Sequence, residues 1–238
     1  MGLLLLLILA GCLLLLLGTL AIVHAVLRPP RTTFAEALAA GAPTDPGDMN
    51  LEYTVWACRT GDGLELPVWD VAGASGGPTM VWLHDHGRSR ICDLTDVTAW
   101  LNWCNRVVLV DLRGHGDAPG SCTLGRHERD DLDRLIDQVD ADRLIVAGRG
   151  FGGGLALDAA SRHDSVAVWA SAPTLDAGAE CARALRANHL PPWPLRSLAL
   201  FAVGLLGCRP IEVPDGSQDQ RIMIADAGAS IPTSPWWS

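Results

Sequence analysis

Lysine is absent from this 238-residue sequence, and all 18 basic side chains are arginine. Schiff-base chemistry and any catalytic lysine are thereby excluded; the gap itself reads as genome composition. Positive charge is also outweighed, 18 bases against 27 acids, for a net charge of −9. Nucleic acid is excluded as a partner, because phosphate binding requires clustered cations. Seven cysteines (Cys12, Cys58, Cys92, Cys104, Cys122, Cys181 and Cys208) include no C-x-x-C pair and no Cys/His cluster at zinc-ligand spacing. No cofactor and no metal is expected. An odd, dispersed set of thiols reads as free cysteine in a reducing compartment. Internal repeats are absent too.

What is abundant is apolar sequence at the start. Leu3 to Leu27 is interrupted only by Gly11, Gly18, Thr19 and His24. At about 1.5 Å per residue such a helix reaches roughly 37 Å, more than the roughly 30 Å hydrocarbon core of a bilayer. No Lys or Arg precedes it, unlike a secretory signal peptide. Arg28 and Arg31 follow it, which places the globular part on the cytoplasmic side. The expectation is a single-pass membrane protein: a transmembrane helix over 1–28, a linker over 29–50, and one domain over 51–238. Leu9-Ala10-Gly11-Cys12 resembles a lipoprotein processing box. The run stays apolar past Cys12, where a lipoprotein turns polar, so a cysteine inside a spanning helix is the preferred reading.

Pro29-Pro30 stops the helix, a short helix is predicted over 33–40, and the turn-rich segment 41–50 reads as linker. Strands are then predicted over 51–59 and 64–71, joined across Gly61-Asp62-Gly63, and over 79–84, 107–110, 144–147, 166–170 and 221–225. Helices are predicted over 94–104, 126–139 and 151–161, the second on the spacing of Leu132, Leu135, Ile136 and Val139. This alternation gives an α/β fold, a mostly parallel sheet with helices on both faces. The segment 172–220 holds an apolar stretch from Leu198 to Cys208, too short to span a bilayer, and reads as a lid over a pocket, with contact with the membrane surface as the lesser alternative.

Four local patterns fall at predicted strand ends. His84-Asp85-His86-Gly87 resembles an H-G-x-G oxyanion loop, and Asp111-Leu112-Arg113-Gly114-His115-Gly116 a D-x-R-G-H-G turn. Thr123, Gly125, Glu128 and Asp131 resemble the helix start common in single-domain members of one superfamily. Gly148-Arg149-Gly150-Phe151-Gly152-Gly153 resembles the G-x-S-x-G nucleophile elbow. Together, in this order, they resemble the α/β-hydrolase superfamily, in particular its membrane-tethered, serine-peptidase-like members. The resemblance implies acyl transfer through Ser, His and Asp.

The elbow departs from that pattern where it matters. Gly148 and Gly152 hold the two small positions, and the nucleophile position is Gly150. Glycine adopts the positive φ of this turn at little cost but has no attacking atom. Arg149 and Phe151, beside it in the pocket, cannot substitute. The acid position falls on Gly228, or on Asp226 after a two-residue slip; the last histidine is His189, and the sequence stops at Ser238 without an eighth strand, a base-bearing loop or a final helix. In the oxyanion loop Asp85 replaces a glycine, and a carboxylate beside a developing oxyanion opposes it, although the loop amides stay available to a hydrogen-bonding ligand.

The other candidates have structural readings. His84, His86 and His115 could bind a metal, but with one His per loop and no carboxylate at ligand spacing, hydrogen bonding between loops is preferred. Asp111 and Arg113 read as ties within the loop after the 107–110 strand. Asp130, Asp131, Asp133 and Asp137 read as the solvated face of a helix. Trp56, Trp69, Trp82, Trp169, Trp100 and Trp103 read as core, whereas Trp236 and Trp237 have no account. Three readings stay open: a membrane-tethered pseudo-hydrolase that binds a small apolar or acyl ligand or a protein; a hydrolase with a relocated nucleophile or one completed by another polypeptide; and a truncated fragment.

Overall fold

The structure, a computed structural model, describes residues 1–32, 34–208 and 221–226. Its frame is a seven-stranded mixed sheet in the order β1-β2-β4-β3-β5-β6-β7. β1 (Tyr53–Arg59) and β2 (Glu65–Ala72) form an antiparallel hairpin. β2 also pairs antiparallel with β4 (Arg106–Val110). β3 (Thr79–Leu83), β5 (Leu144–Arg149), β6 (Val166–Ser171) and β7 (Ile222–Ala225) pair in parallel with their neighbours. Among the described strands only β2 runs against the rest. All five residues of β3 are buried, which is why Thr79 to Leu83 reads as one apolar run: helices cover both faces of a parallel strand.

Two cores result. On one face Val81, Leu83, Val108, Val110, Val146 and Val168 pack under α4 (Glu128–Val139) and α5 (Phe151–Ala160). On the other, Met80, Trp82, Leu109, Ile145 and Trp169 pack under α3 (Arg90–Val97) and Trp100. Trp82 and Trp169 stack with ring centroids 5.7 Å apart, and Trp100 meets Trp169 edge-on at 5.6 Å, geometries worth about 0.5–1.5 kcal/mol each beyond the area buried.

Three expectations need correction. The helix predicted over 94–104 starts at Arg90 and tightens into a 3-10 segment, Thr98–Asn102. Trp103 falls beyond it and is 36% exposed, whereas Trp100 stays buried. Asp131 lies on the inner face of α4, spaced with Leu132 and Leu135, and is buried rather than solvated. The short helix predicted over 33–40 is present as α2 (Phe34–Ala39), and a 3-10 turn follows it, Pro46–Met49, in which the Asp45 carboxylate accepts the Asp48 N–H.

The N-terminal helix α1 (Gly2–Leu27) has two parts. Gly2 to Leu17 is exposed. Thr19, Ile22, Val23 and Val26, spaced i, i+3, i+4, i+7, are buried, packed against α6 (Ala177–Ala187) and α7 (Leu195–Leu205). Gly18 permits the closest approach: a Cβ there would lie 3.0 Å from Leu195 Cδ2.

Candidate functional site

The carboxyl ends of β3 and β5 are neighbours, with Leu83 opposite Gly148, where open α/β sheets form their binding crevice. Gly150 caps α5 with φ 51° and ψ −116°. The turn is sharp because strand and helix backbones nearly touch. A Cβ on Gly148 would sit 2.5 Å from the Gly152 carbonyl carbon, and one on Gly152 would sit 2.3 Å from the Leu83 oxygen. Gly150 N–H donates to the Ser171 oxygen at 2.9 Å, and its own oxygen accepts from Thr174 N–H at 2.9 Å. The conformation at Gly150 is one that an L-residue adopts only with strain.

The space beside Gly150 is filled. A Cβ there would meet Asp85 Oδ1 at 2.0 Å and Asp85 Cγ at 2.3 Å. Asp85 Oδ1 accepts hydrogen bonds from Phe151 N–H and from His86 N–H, each at 2.8 Å. One donor follows the elbow residue and the other belongs to the loop after β3, the two positions from which a G-x-S-x-G enzyme builds its oxyanion hole. The sequence expectation is corrected here. Asp85 does not stand beside two free amides. Its carboxylate occupies them, so they are not open to a ligand. Arg183 on α6 approaches the outer oxygen, Oδ2, at 3.7 Å.

His86 links this loop to α1 and α6. Its Nε2 contacts the Val26 carbonyl oxygen at 2.8 Å, and its Nδ1 pairs with Glu180 Oε2 at 3.0 Å. Glu180 is buried and also pairs with Arg183 at 3.1 Å. A carboxylate therefore does stand at ligand distance from the histidine cluster, contrary to the sequence reading. It comes from α6, which no spacing in the sequence connects to residue 86. His86, His115 and Cys122 place one candidate ligand atom each within 4.8 Å of one another. The geometry suits a metal poorly: both nitrogens of His86 are already directed at the Val26 and Glu180 oxygens. Cys122 is buried and its thiol is pushed well above the ordinary range by burial and by nearby Glu128, which makes it a poor ligand and a poor nucleophile.

His84 Nε2 accepts Leu112 N–H at 3.0 Å, and its Nδ1 contacts the Asp85 oxygen at 2.8 Å. His115 Nδ1 contacts the Arg113 carbonyl at 3.0 Å, and its Nε2 has no hydrogen-bond partner among the described residues. Burial first, then the neighbouring His84 and His86, push its pKa well below 6.5. A proton refused by the folded state but accepted by the unfolded chain near pH 6.5 destabilises the fold as pH falls. Stability that is full above about pH 6.5 therefore declines below it. Urea unfolding of the detergent-solubilised chain between pH 7.5 and 5.5 measures this decline. His115→Asn, which keeps a donor for the Arg113 carbonyl, is expected to flatten it.

Asp111 ties its loop together: Oδ1 accepts Arg90 N–H at 2.8 Å and Oδ2 accepts Asp117 N–H at 3.0 Å. Arg113 forks onto Asp131 at 2.6 and 2.7 Å and onto Asp62 at 3.1 Å twice. These bonds hold the Asp62 carboxyl down at about 2. Glu128 accepts from Thr123 N–H and Oγ1 and from Gly125 N–H at the start of α4. Arg149 leaves the pocket assigned to it: it pairs with Asp96 and lies over the Trp82 ring at 5.5 Å, because it ends β5 on the α3 side. Phe151 is buried, edge-on to His86 at 6.1 Å. Gly87 and His86 join Val26, Pro29, Pro30 and Ala184 around an apolar cavity of about 280 Å3 between α1 and α6. Asp226 is exposed, and its carbonyl accepts Ser171 Oγ at 3.0 Å. Gly228, Trp236 and Trp237 lie outside the described residues.

No family model matches the chain, and no curated protein matches it. Among solved structures it is similar to an esterase from Pyrococcus furiosus, with 24% identity and a TM-score of 0.60 over 79% of this chain and 71% of that one. A second crystal form of that esterase gives 21% identity and a TM-score of 0.61 over 85% and 90%. An α/β hydrolase from Novosphingobium aromaticivorans aligns over 50% of this chain and 43% of its own, with 25% identity and a TM-score of 0.43. The Pyrococcus likeness, over a sheet of this strand order with the elbow after β5, shows that the chain has the α/β-hydrolase fold.

Proposed function

We propose that this chain is a membrane-anchored pseudo-hydrolase: a protein that keeps the hydrolase fold, does not hydrolyse esters, and uses the cavity between α1 and α6 to bind an apolar or acyl group or a protein segment. The observation that carries the reading is the Asp85 carboxylate. It fills the space where a nucleophile side chain would project, and it accepts both amide N–H groups that would stabilise an oxyanion. A fixed negative charge there opposes the charge that acyl transfer must develop. Gly150 supplies no attacking atom.

Anchoring is supported by α1, which is long and apolar enough to cross a bilayer. In this reading residues 1–28 span the membrane, 29–50 connect, and 51–238 form the domain, with α6 and α7 as a lid within 172–220. Arg28 and Arg31 favour a cytoplasmic domain.

The test uses the full chain in detergent micelles. Turnover of short-chain p-nitrophenyl esters is expected to match a protein-free blank, and a fluorophosphonate probe is expected to leave the chain unlabelled. Saturable turnover that disappears as the probe attaches to one serine or cysteine would overturn the proposal.

A further inference from the structure

We infer that the first half of α7, together with Trp193 before it, is seated in the lipid surface beside the membrane-spanning helix, so that the lid face and the anchor share one bilayer. The inference rests on the anchoring reading above and deepens it by naming a second lipid-contacting surface.

The argument starts from length. The exposed part of α1 runs from Gly2 to Leu17. Sixteen residues at about 1.5 Å each give about 24 Å, some 6 Å short of a hydrocarbon core of about 30 Å. About four more residues, 18–21, must lie in hydrocarbon if the span is to match it, and the headgroup layer beyond covers the next turn. Residue 18 is where the domain begins to touch the helix: Gly18 packs against Leu195, the first residue of α7. The bilayer therefore cannot end before it reaches the start of α7.

The direction of α7 comes from its far end. The Leu27 carbonyl that closes α1 accepts Cys122 N–H at 2.9 Å, and the Leu206 carbonyl just past α7 accepts from Arg126 Nη1 at 3.2 Å. Both helices thus finish on the same loop and run side by side in the same sense. Leu198 then sits near the level of α1 residue 21, and Phe201 near residue 24, within the zone that the span requires to be lipid or headgroup.

At that level Leu198 and Phe201 suit lipid, while Arg196, also exposed, turns its guanidinium toward Gly178 of α6. Leu195, Ala199 and Val203 of α7 are buried against the domain. On its outward side Leu198 is 39% exposed and Phe201 68%, with Trp193 at 81% just ahead of the helix. Water would meet this apolar face unfavourably, whereas the apolar outer surface of α1 (Leu13 to Leu17 and Leu20, all exposed) continues directly into it.

Photocrosslinking in vesicles tests the inference. The full chain is reconstituted into phosphatidylcholine/phosphatidylglycerol vesicles with p-benzoylphenylalanine placed singly at position 5 on the free span, at 193, at 201, or at 55. Val55 is an exposed apolar residue on β1, in the strand at the far edge of the sheet. Lipid adducts counted by mass spectrometry are expected at 5, 193 and 201, each at least tenfold above 55. Adducts at 5 with none at 193 or 201 would overturn the seated lid and leave the anchor standing. No adduct at 5 would overturn both. A chain-to-chain crosslink at 201 in place of a lipid adduct would also overturn the inference, assigning this face to a second copy.

Discussion

Gly150→Ser is expected to destabilise the protein by about 3–5 kcal/mol, and adding Asp85→Gly to it is expected to cost little more. Two costs add in the single variant. A side chain at φ 51° carries backbone strain of about 1–3 kcal/mol. Its Cβ also overlaps Asp85 Oδ1 at 2.0 Å and must push the carboxylate off the Phe151 and His86 amides, and hydrogen bonds to charged groups contribute about 1.5–3 kcal/mol each. Asp85→Gly alone loses those bonds but readmits water to the amides, at about 2 kcal/mol. The double variant keeps the strain and removes the collision, so the two changes are expected to fall short of additivity by about 2 kcal/mol. Urea unfolding of the four proteins in detergent closes the cycle. Additive single effects would mean that Asp85 does not occupy the position described.

The second large effect is expected at Arg113. Arg113→Met leaves the buried Asp131 carboxylate without its forked partner, and breaking a buried pair from one side costs about 3–5 kcal/mol. The methionine fills similar space, so the loss reports charge rather than packing. Asp62, the half-exposed partner, supplies an independent readout by carboxyl NMR. Its pKa, held at about 2 by Arg113 and Thr60, is expected to move up toward its ordinary value in the variant. The sign of the pH dependence follows. A depressed carboxyl contributes stability that is present above its unfolded value near 4 and lost as pH falls toward 2. That portion of the acid sensitivity is therefore expected in the native protein and absent from the variant. An Asp62 carboxyl that stays near 2 without Arg113 would contradict the assignment.

The strand ends were legible because backbone crowding restricts them to few residue types. Gly148 and Gly152 can be read from sequence since nothing larger fits where strand meets helix. The continuous apolar runs of β3 and β4 mark strands covered on both faces. Three features were not legible, each for a different reason. The position of the Asp85 carboxylate depends on the path of its loop, so the residue type announced a departure without saying that it caps the two amides. Glu180 meets His86 only through the packing of α6, which leaves no local signal. Within α1 the only polar side chains are Thr19 and His24, and Thr19 is itself buried on the docking face with Ile22, Val23 and Val26, so no polar contrast reveals that face. Asp131 is the reverse case: the helical spacing of Leu132 and Leu135 already placed it on the inner face, and the neighbouring acids masked that.

The docking of α1 also bears on how the protein is handled at the bench. Trimming the chain to residue 50 would take away the helix that walls one side of α6 and α7, together with the Val26 carbonyl that His86 contacts. What remained would carry a greasy trough where Ile22 and Val23 had been, and it would be expected to clump rather than dissolve.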